Sequence, residues 1–232
     1  MKPTLEFILV SLAVVAGLTL LAWLFERAFC KNRLRLSSPK YITTVAISAA
    51  IASMLMLLEF PLLFLAPDFY KLDFSELPVL ISGFYLGPVA AVLTEFLKIL
   101  IKLIFKSTSS ALVGELANFA VGCALVLPAS MIYHFRRTKI SAVCGLASGV
   151  LIMTVFGTLF NAVYLLPAFA NMYGAPLEAI VAMGTKINSN ITSVSSFVML
   201  AVAPLNLLKS LAVSILTLLL YKRIEPIMFK RS

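Results

Sequence analysis

Asn206 and Lys209 stand three residues apart in the run APLNLLKSL, inside a stretch from Phe197 to Tyr221 that is long and apolar enough to cross a bilayer. That spacing puts both side chains on one helix face. A lysine at the centre of a transmembrane helix costs roughly 2.5–3.5 kcal/mol on insertion scales, so it calls for a reason. The ammonium can donate to a carbonyl or an anion. The asparagine offers one acceptor and two donors, which suits an amide or a pyrimidine edge. One reading is a device that holds a polar solute within the membrane. The competing reading is a structural polar knot, with Lys209 bonded to a carboxylate or to carbonyls loosened near Pro204.

Asn161, in TLFNAVYLLPAF, lies six residues before Pro167 near the end of another apolar span. An isolated membrane asparagine bonds a neighbouring helix for roughly 0.6–2 kcal/mol. With Asn206 and Lys209 it is expected to form a third wall of one pocket. GELANF places Glu115 and Asn118 on one face at the start of a further span. Glu115 reads as an acceptor for a ligand hydroxyl, as a counter-charge to Lys209, or simply as a carboxylate favoured by the helix dipole.

In KLDFSELP, Asp73 and Glu76 have the spacing of a capping box with Asp in the Ser/Thr place, so Asp73 is expected to cap a helix. Glu95, Lys98, Lys102 and Lys106 form one helical stripe that could draw an anionic solute. The plainer expectation is that Glu95 pairs with Lys98 while Lys102 and Lys106 snorkel to the interface. Ala46 and Ala50, with Ala49 and Ser53 beside them, make a small-residue face that lets another helix approach closely.

The elements that must position these residues are membrane helices. The chain of 232 residues is 61% hydrophobic and 12% charged, against about 25% charged residues in soluble domains. Only helices or a closed barrel satisfy the backbone in lipid, and continuous apolar runs select helices. The runs are Leu5–Phe25, Tyr41–Phe60, Leu77–Leu86, Val89–Phe105, Val113–Phe135, Ser141–Phe169 and Phe197–Tyr221, with a longer amphipathic loop from Ala170 to Ser196. Leu77–Leu86 is too short to cross alone.

Threading these runs puts the basic clusters Arg27–Lys40, Arg136–Lys139 and Lys222–Arg231 on one side. By the positive-inside rule that side is the cytoplasm, with the N-terminus outside and the C-terminus inside. The net charge of +9 therefore speaks of orientation and not of nucleic acid. The first run precedes its basic cluster and shows no small-residue cleavage site, so it reads as a retained span. Cys30, Cys123 and Cys144 show no CxxC spacing and read as inert packing. With one histidine, no HExxH, no Walker A loop and no GxSxG, neither a metal nor a catalytic residue is expected.

The runs FYKLDFSELPVLISGFYLGPVAAVLTEFLK, VGELANFAVG, NAVYLLPAF and PLNLLKS, in this order over residues 41–222, resemble the riboflavin-specific S components of energy-coupling factor (ECF) transporters. The resemblance implies an all-α six-helix membrane domain over 41–232, with 1–40 as an extra N-terminal transmembrane helix and basic loop. It implies high-affinity capture of riboflavin from outside, and import driven by a membrane coupling protein and two cytoplasmic ATPases. Asn161, Asn206 and Lys209 match the family's ring-holding positions, Ala46 and Ala50 its docking motif, and Phe60 to Pro67 its lid loop. A flavin needs apolar walls at its dimethylbenzene end, for which Phe60, Leu62 and Phe64 are candidates, and polar partners for its ribityl hydroxyls. The lysine stripe extends the candidates to a phosphorylated flavin such as FMN. Another vitamin remains the alternative within transport. An intramembrane enzyme is the alternative outside it, although no nucleophile–base set is visible in a span.

Overall fold

The computed structural model describes residues 5–30, 35–108 and 112–228, with side chains described between 9 and 221 within those ranges. Of the basic clusters, Lys31, Arg33, Lys230 and Arg231 and the side chains of Lys222 and Arg223 lie outside the described residues.

Ten helices account for nearly all regular structure among the described residues. α1 (Leu5–Phe29) is followed by α2 (Pro39–Leu57), which starts where local chemistry asks it to. Pro39 sits in its first turn, and the Ser38 side chain accepts from the Tyr41 N–H. The span expected to reach Phe60 stops at Leu57, because Phe60–Pro61 (β1) leaves the helix to pair antiparallel with Lys71–Leu72 (β2). α3 (Glu76–Leu86) has 11 residues. At about 1.5 Å each these reach roughly half of a hydrocarbon core. Gly87, at φ +131°, turns the chain sharply into α4 (Pro88–Phe105).

α5 (Val113–Arg136) and α6 (Lys139–Phe160) lie side by side, and α6 also packs on α10 (Ala203–Met228). Two π-helical turns interrupt the long helices. Asn161–Leu165 joins α6 to α7 (Leu166–Tyr173), and Val198–Val202 joins α9 (Val194–Phe197) to α10. Pro167 and Pro204 follow these turns closely. A proline has no N–H to donate and its ring crowds the carbonyl four residues back, so the chain takes up an extra residue there instead of breaking. The loop expected from Ala170 to Ser196 contains the end of α7 and a helix, α8 (Leu177–Thr185). Its Ile180 and Val181 are buried in a cluster with Ala66, Leu166 and Phe197.

Among the described residues, five helical stretches are long and apolar enough to cross a membrane: Leu9–Phe29, Pro39–Leu57, Val113–Arg136, Lys139–Tyr173 and Val194–Tyr221. α4 lies among them but carries Glu95, Lys98 and Lys102, all buried. Apolar side chains such as Leu12, Leu151, Val155, Leu159, Ile215 and Leu219 point outward, as a lipid solvent requires. The protein is thus all-α and membrane-spanning.

α1 is built into the bundle. Ala22 is fully buried, and Val14, Val15 and Leu18 pack on a cluster that includes Val92, Ile99 and Phe119 of α4 and α5. The Glu26 carboxylate, also buried, accepts the Val89 N–H at 2.7 Å and so caps the start of α4. A side chain at Gly87 would collide with that carboxylate.

Candidate functional site

The two π turns and the start of α3 converge at one end of the bundle. Around them a cavity of about 90 Å³ is lined by Phe69, Tyr70, Lys71, Glu76, Asn118, Asn161, Phe169, Asn206 and Lys209, among others. It sits where α4 ends and where α5 and α10 begin, at the opposite end of the bundle from the basic turn between α5 and α6.

Asn161 opens the first π turn and is 3% exposed. Its Nδ2 donates to the Gly157 carbonyl at 2.6 Å, and its Oδ1 accepts the Tyr70 hydroxyl at 2.5 Å. Tyr70 belongs to the loop between β1 and β2, and with Phe69 it leans on Phe169 and Phe197. One hydroxyl therefore ties this loop to the cavity floor. Asn206 packs against Gly157, where any side chain would strike its Nδ2. That Nδ2 is buried and takes no hydrogen-bond partner.

Lys209 donates to Asp73 Oδ2 at 3.0 Å and pairs with Glu76 Oε1 at 3.0 Å. Glu76 Oε1 also meets Lys98, at 3.2 Å, and Lys98 reaches Glu95 at 2.6 Å and Ser75 at 2.8 Å. Three carboxylates and two ammoniums thus interlock among α3, the residues just before it, α4 and α10. Each of their side chains is 8% exposed or less. The polar knot that competed with ligand binding as the reading of Lys209 is real, and Lys209 still lines the cavity.

Several expectations change here. Asp73 is not the cap of a capping box: α3 begins at Glu76 with no side-chain cap bond from Ser75. Asp73 Oδ1 instead accepts from the Ser75 N–H, which leaves Oδ2 for Lys209. Lys102 does not snorkel. It is buried and bonded to Glu115 at 2.9 Å, a carboxylate that holds its charge inside the bundle. Glu115 offsets Lys102, not Lys209, also accepts from Thr108, and does not line the cavity. The Glu95–Lys98 pair is as expected. Lys106 is half exposed and pairs with Glu59 at 2.7 Å.

Asn118 lines the cavity, with its Nδ2 on the Gly114 carbonyl at 3.1 Å. Phe60, Leu62 and Phe64 do not line it. Phe60 is 42% and Phe64 77% exposed. The returning arm supplies Phe69 and Tyr70, which were not among the expected residues although they directly precede KLDFSELP. Ala46 and Ala50 are exposed on α2, whereas Ala49 between them is buried.

Outside the cavity mouth, Glu59 is shared by Lys71, at 2.9 Å, and Lys106. Burial alone would push this carboxyl up, but its bonds to Lys106 and Lys71 outweigh that and hold it below its usual value.

A membrane-spanning helical bundle with a small cavity of aromatic walls and converging hydrogen-bonding groups is the build of a solute-binding membrane protein. Its kind is settled by likeness: residues 40–221 match the family described as ECF transporter, substrate-specific component, and the chain belongs to that family. It is 30% identical over 194 residues to the Riboflavin transporter RibU of Staphylococcus aureus (strain TCH60), covering 84% of this chain and 95% of that one. Against the Riboflavin transporter FmnP of Bacillus subtilis (strain 168) it is 28% identical over 188 residues, 81% of this chain and 93% of the relative. A solved structure described as the S component of a bacterial ECF transporter superposes with a TM-score of 0.65 at 32% identity, covering 83% of this chain and 98% of that one. The family match begins at residue 40, so α1 precedes it.

Proposed function

We propose that this chain is the riboflavin-binding subunit of an ECF uptake transporter, and not an enzyme. The observation that carries the reading is the cavity. Asn161, Asn206, Glu76 and Lys209 converge there between the aromatic rings of Phe69, Tyr70 and Phe169, in a bundle that is otherwise apolar. A flavin asks for that combination, a polar pyrimidine edge on a flat apolar body. Relatives that share 28–30% of its residues carry the name riboflavin transporter.

A three-ring solute exceeds a cavity of about 90 Å³. Tyr70 and Phe69 therefore swing outward with their loop when it enters, which makes this loop the lid. The cavity faces away from the basic turn Arg136–Lys139, so by the positive-inside rule it opens outside, with the N-terminus outside and the C-terminus in the cytoplasm. Residues 41–232 form the binding unit. The exposed Ala46 and Ala50 offer a smooth face to the transmembrane coupling protein, which works with two cytoplasmic ATPases. Lys71 on the cavity wall favours a second ligand, FMN, whose phosphate it would meet at the mouth.

The test is a flavin titration of the purified protein in detergent, read by the flavin's own emission. Saturable quenching supports the reading, with FMN, thiamine, biotin and folate as competitors. A preparation that leaves riboflavin emission unchanged at every concentration sinks it.

A further inference from the structure

Among the described residues, two buried polar atoms on the cavity lining take no hydrogen bond, and they are of opposite kind. Glu76 is fully buried, and both lysines that reach it meet the same oxygen, Oε1. Its Oε2 takes no hydrogen bond. Paired with two ammoniums through Oε1, Glu76 presents Oε2 as a pure acceptor. Asn206 Nδ2 is the second, a donor fixed in place by the close approach of Gly157. Leaving a buried polar atom unpaired costs about 1–3 kcal/mol, more for a charged group.

The two residues belong to the lining of one cavity. Lys209 bonds Glu76 and lies one helical turn from Asn206 on the same face of α10, and all three residues line the cavity. An acceptor beside a donor is the complement of an N–H beside a carbonyl. We infer that Glu76 Oε2 accepts the imide N–H of the solute's ring while Asn206 Nδ2 donates to the adjoining carbonyl, so that Glu76 is a specificity residue of the site. This rests on the riboflavin reading above, in which the group is N3–H of the flavin. Lys98 and Lys209 then act as positioning residues, because by occupying Oε1 from two sides they aim the other oxygen at the ring. A solute with a carbonyl but no neighbouring N–H meets a bare carboxylate and is rejected.

The test compares riboflavin with N3-methylriboflavin on the full chain in detergent, for wild type and Glu76→Gln. Wild type should bind the methylated flavin at least about tenfold more weakly, as a lost hydrogen bond to a charged group implies. Glu76→Gln, which puts an amide N–H where Oε2 was, should bind riboflavin at least about tenfold more weakly and the two flavins nearly equally. Equal binding of both flavins by wild type overturns the inference and leaves the riboflavin reading standing. A Glu76→Gln protein that keeps the full wild-type preference overturns it as well. A wild type that binds neither flavin overturns both. If Glu76→Gln does not fold, riboflavin labelled with nitrogen-15 at N3 decides the matter on wild type. A proton resonance moved downfield on binding supports the inference, and one that stays at its aqueous position overturns it.

Discussion

Glu76 and Glu59 are both glutamates bridged by two lysines, and they sit at two depths of the same protein. Glu76 holds Lys98 and Lys209 with no exposed surface on its own side chain. Glu59 holds Lys71 and Lys106, whose side chains are 34% and 46% exposed. The contact distances hardly differ, yet the surroundings change what the bonds do. At the mouth, water screens the pairs and salt weakens them. In the interior, each charge depends on its partners, because nothing else there can solvate it. The inner cluster therefore organises the site, while the outer one trims it.

The largest effect should come from Lys209→Met. It removes the cation shared by Asp73 and Glu76 and leaves buried carboxylates short of a partner, which typically costs about 3–5 kcal/mol. Thermal unfolding in detergent should show a marked loss. Riboflavin affinity should fall by about an order of magnitude or more as a charge-assisted contact disappears. Near-wild-type stability and binding would erase the contrast between the two glutamates.

Tyr70→Phe tests the link between the depths, since Tyr70 is next to Lys71 yet bonds Asn161 on the cavity floor. The bond ties the loop to Asn161, an asparagine proposed to hold the flavin. Removing the hydroxyl should strengthen riboflavin binding severalfold, in line with about 0.5–1.5 kcal/mol for one hydrogen bond. Weaker binding would show that the hydroxyl touches the flavin instead of competing with it.

Glu59→Gln should cost no more than about 1 kcal/mol. The loss should shrink as salt is added, whereas that of Lys209→Met should not. Melting both variants at low and high ionic strength checks the pair of expectations. The smallest effect is on pH. The folded Glu59 carboxyl lies below its usual value, so its contribution is complete above the ordinary carboxylate range and is lost as pH falls through the lowered folded value. The stability difference between wild type and Glu59→Gln should be flat from pH 8 to about pH 5 and vanish only at more acid pH.

Much of this arrangement is legible in the chain. The spacing of Asn206 and Lys209, and Asn161 six residues before a proline, mark three of the cavity's polar residues before any fold is known. Their partners are hidden by distance along the chain: Lys209 meets Asp73 across 136 residues and Asn161 meets Tyr70 across 91. No local rule joins such pairs. The chain offers Phe60, Leu62 and Phe64 as readily as Phe69 and Tyr70. Both arms of the loop are aromatic and apolar, and no local pattern tells which of them lines the cavity. Asp73 misled through its spacing, which suits a cap as well as a counter-ion. α8 stayed hidden because nine residues with a mixed pattern look like a loop until Ile180 finds its place beside Phe197.

The cap that Glu26 places on α4 sets an order of assembly. Glu26 leaves the ribosome before its partner exists, since Val89 follows 63 residues later. Until α4 enters the membrane, α1 carries a carboxylate with no backbone N–H of α4 to receive. α1 is thus seated only once α4 arrives, and it waits on a helix that has yet to be synthesised.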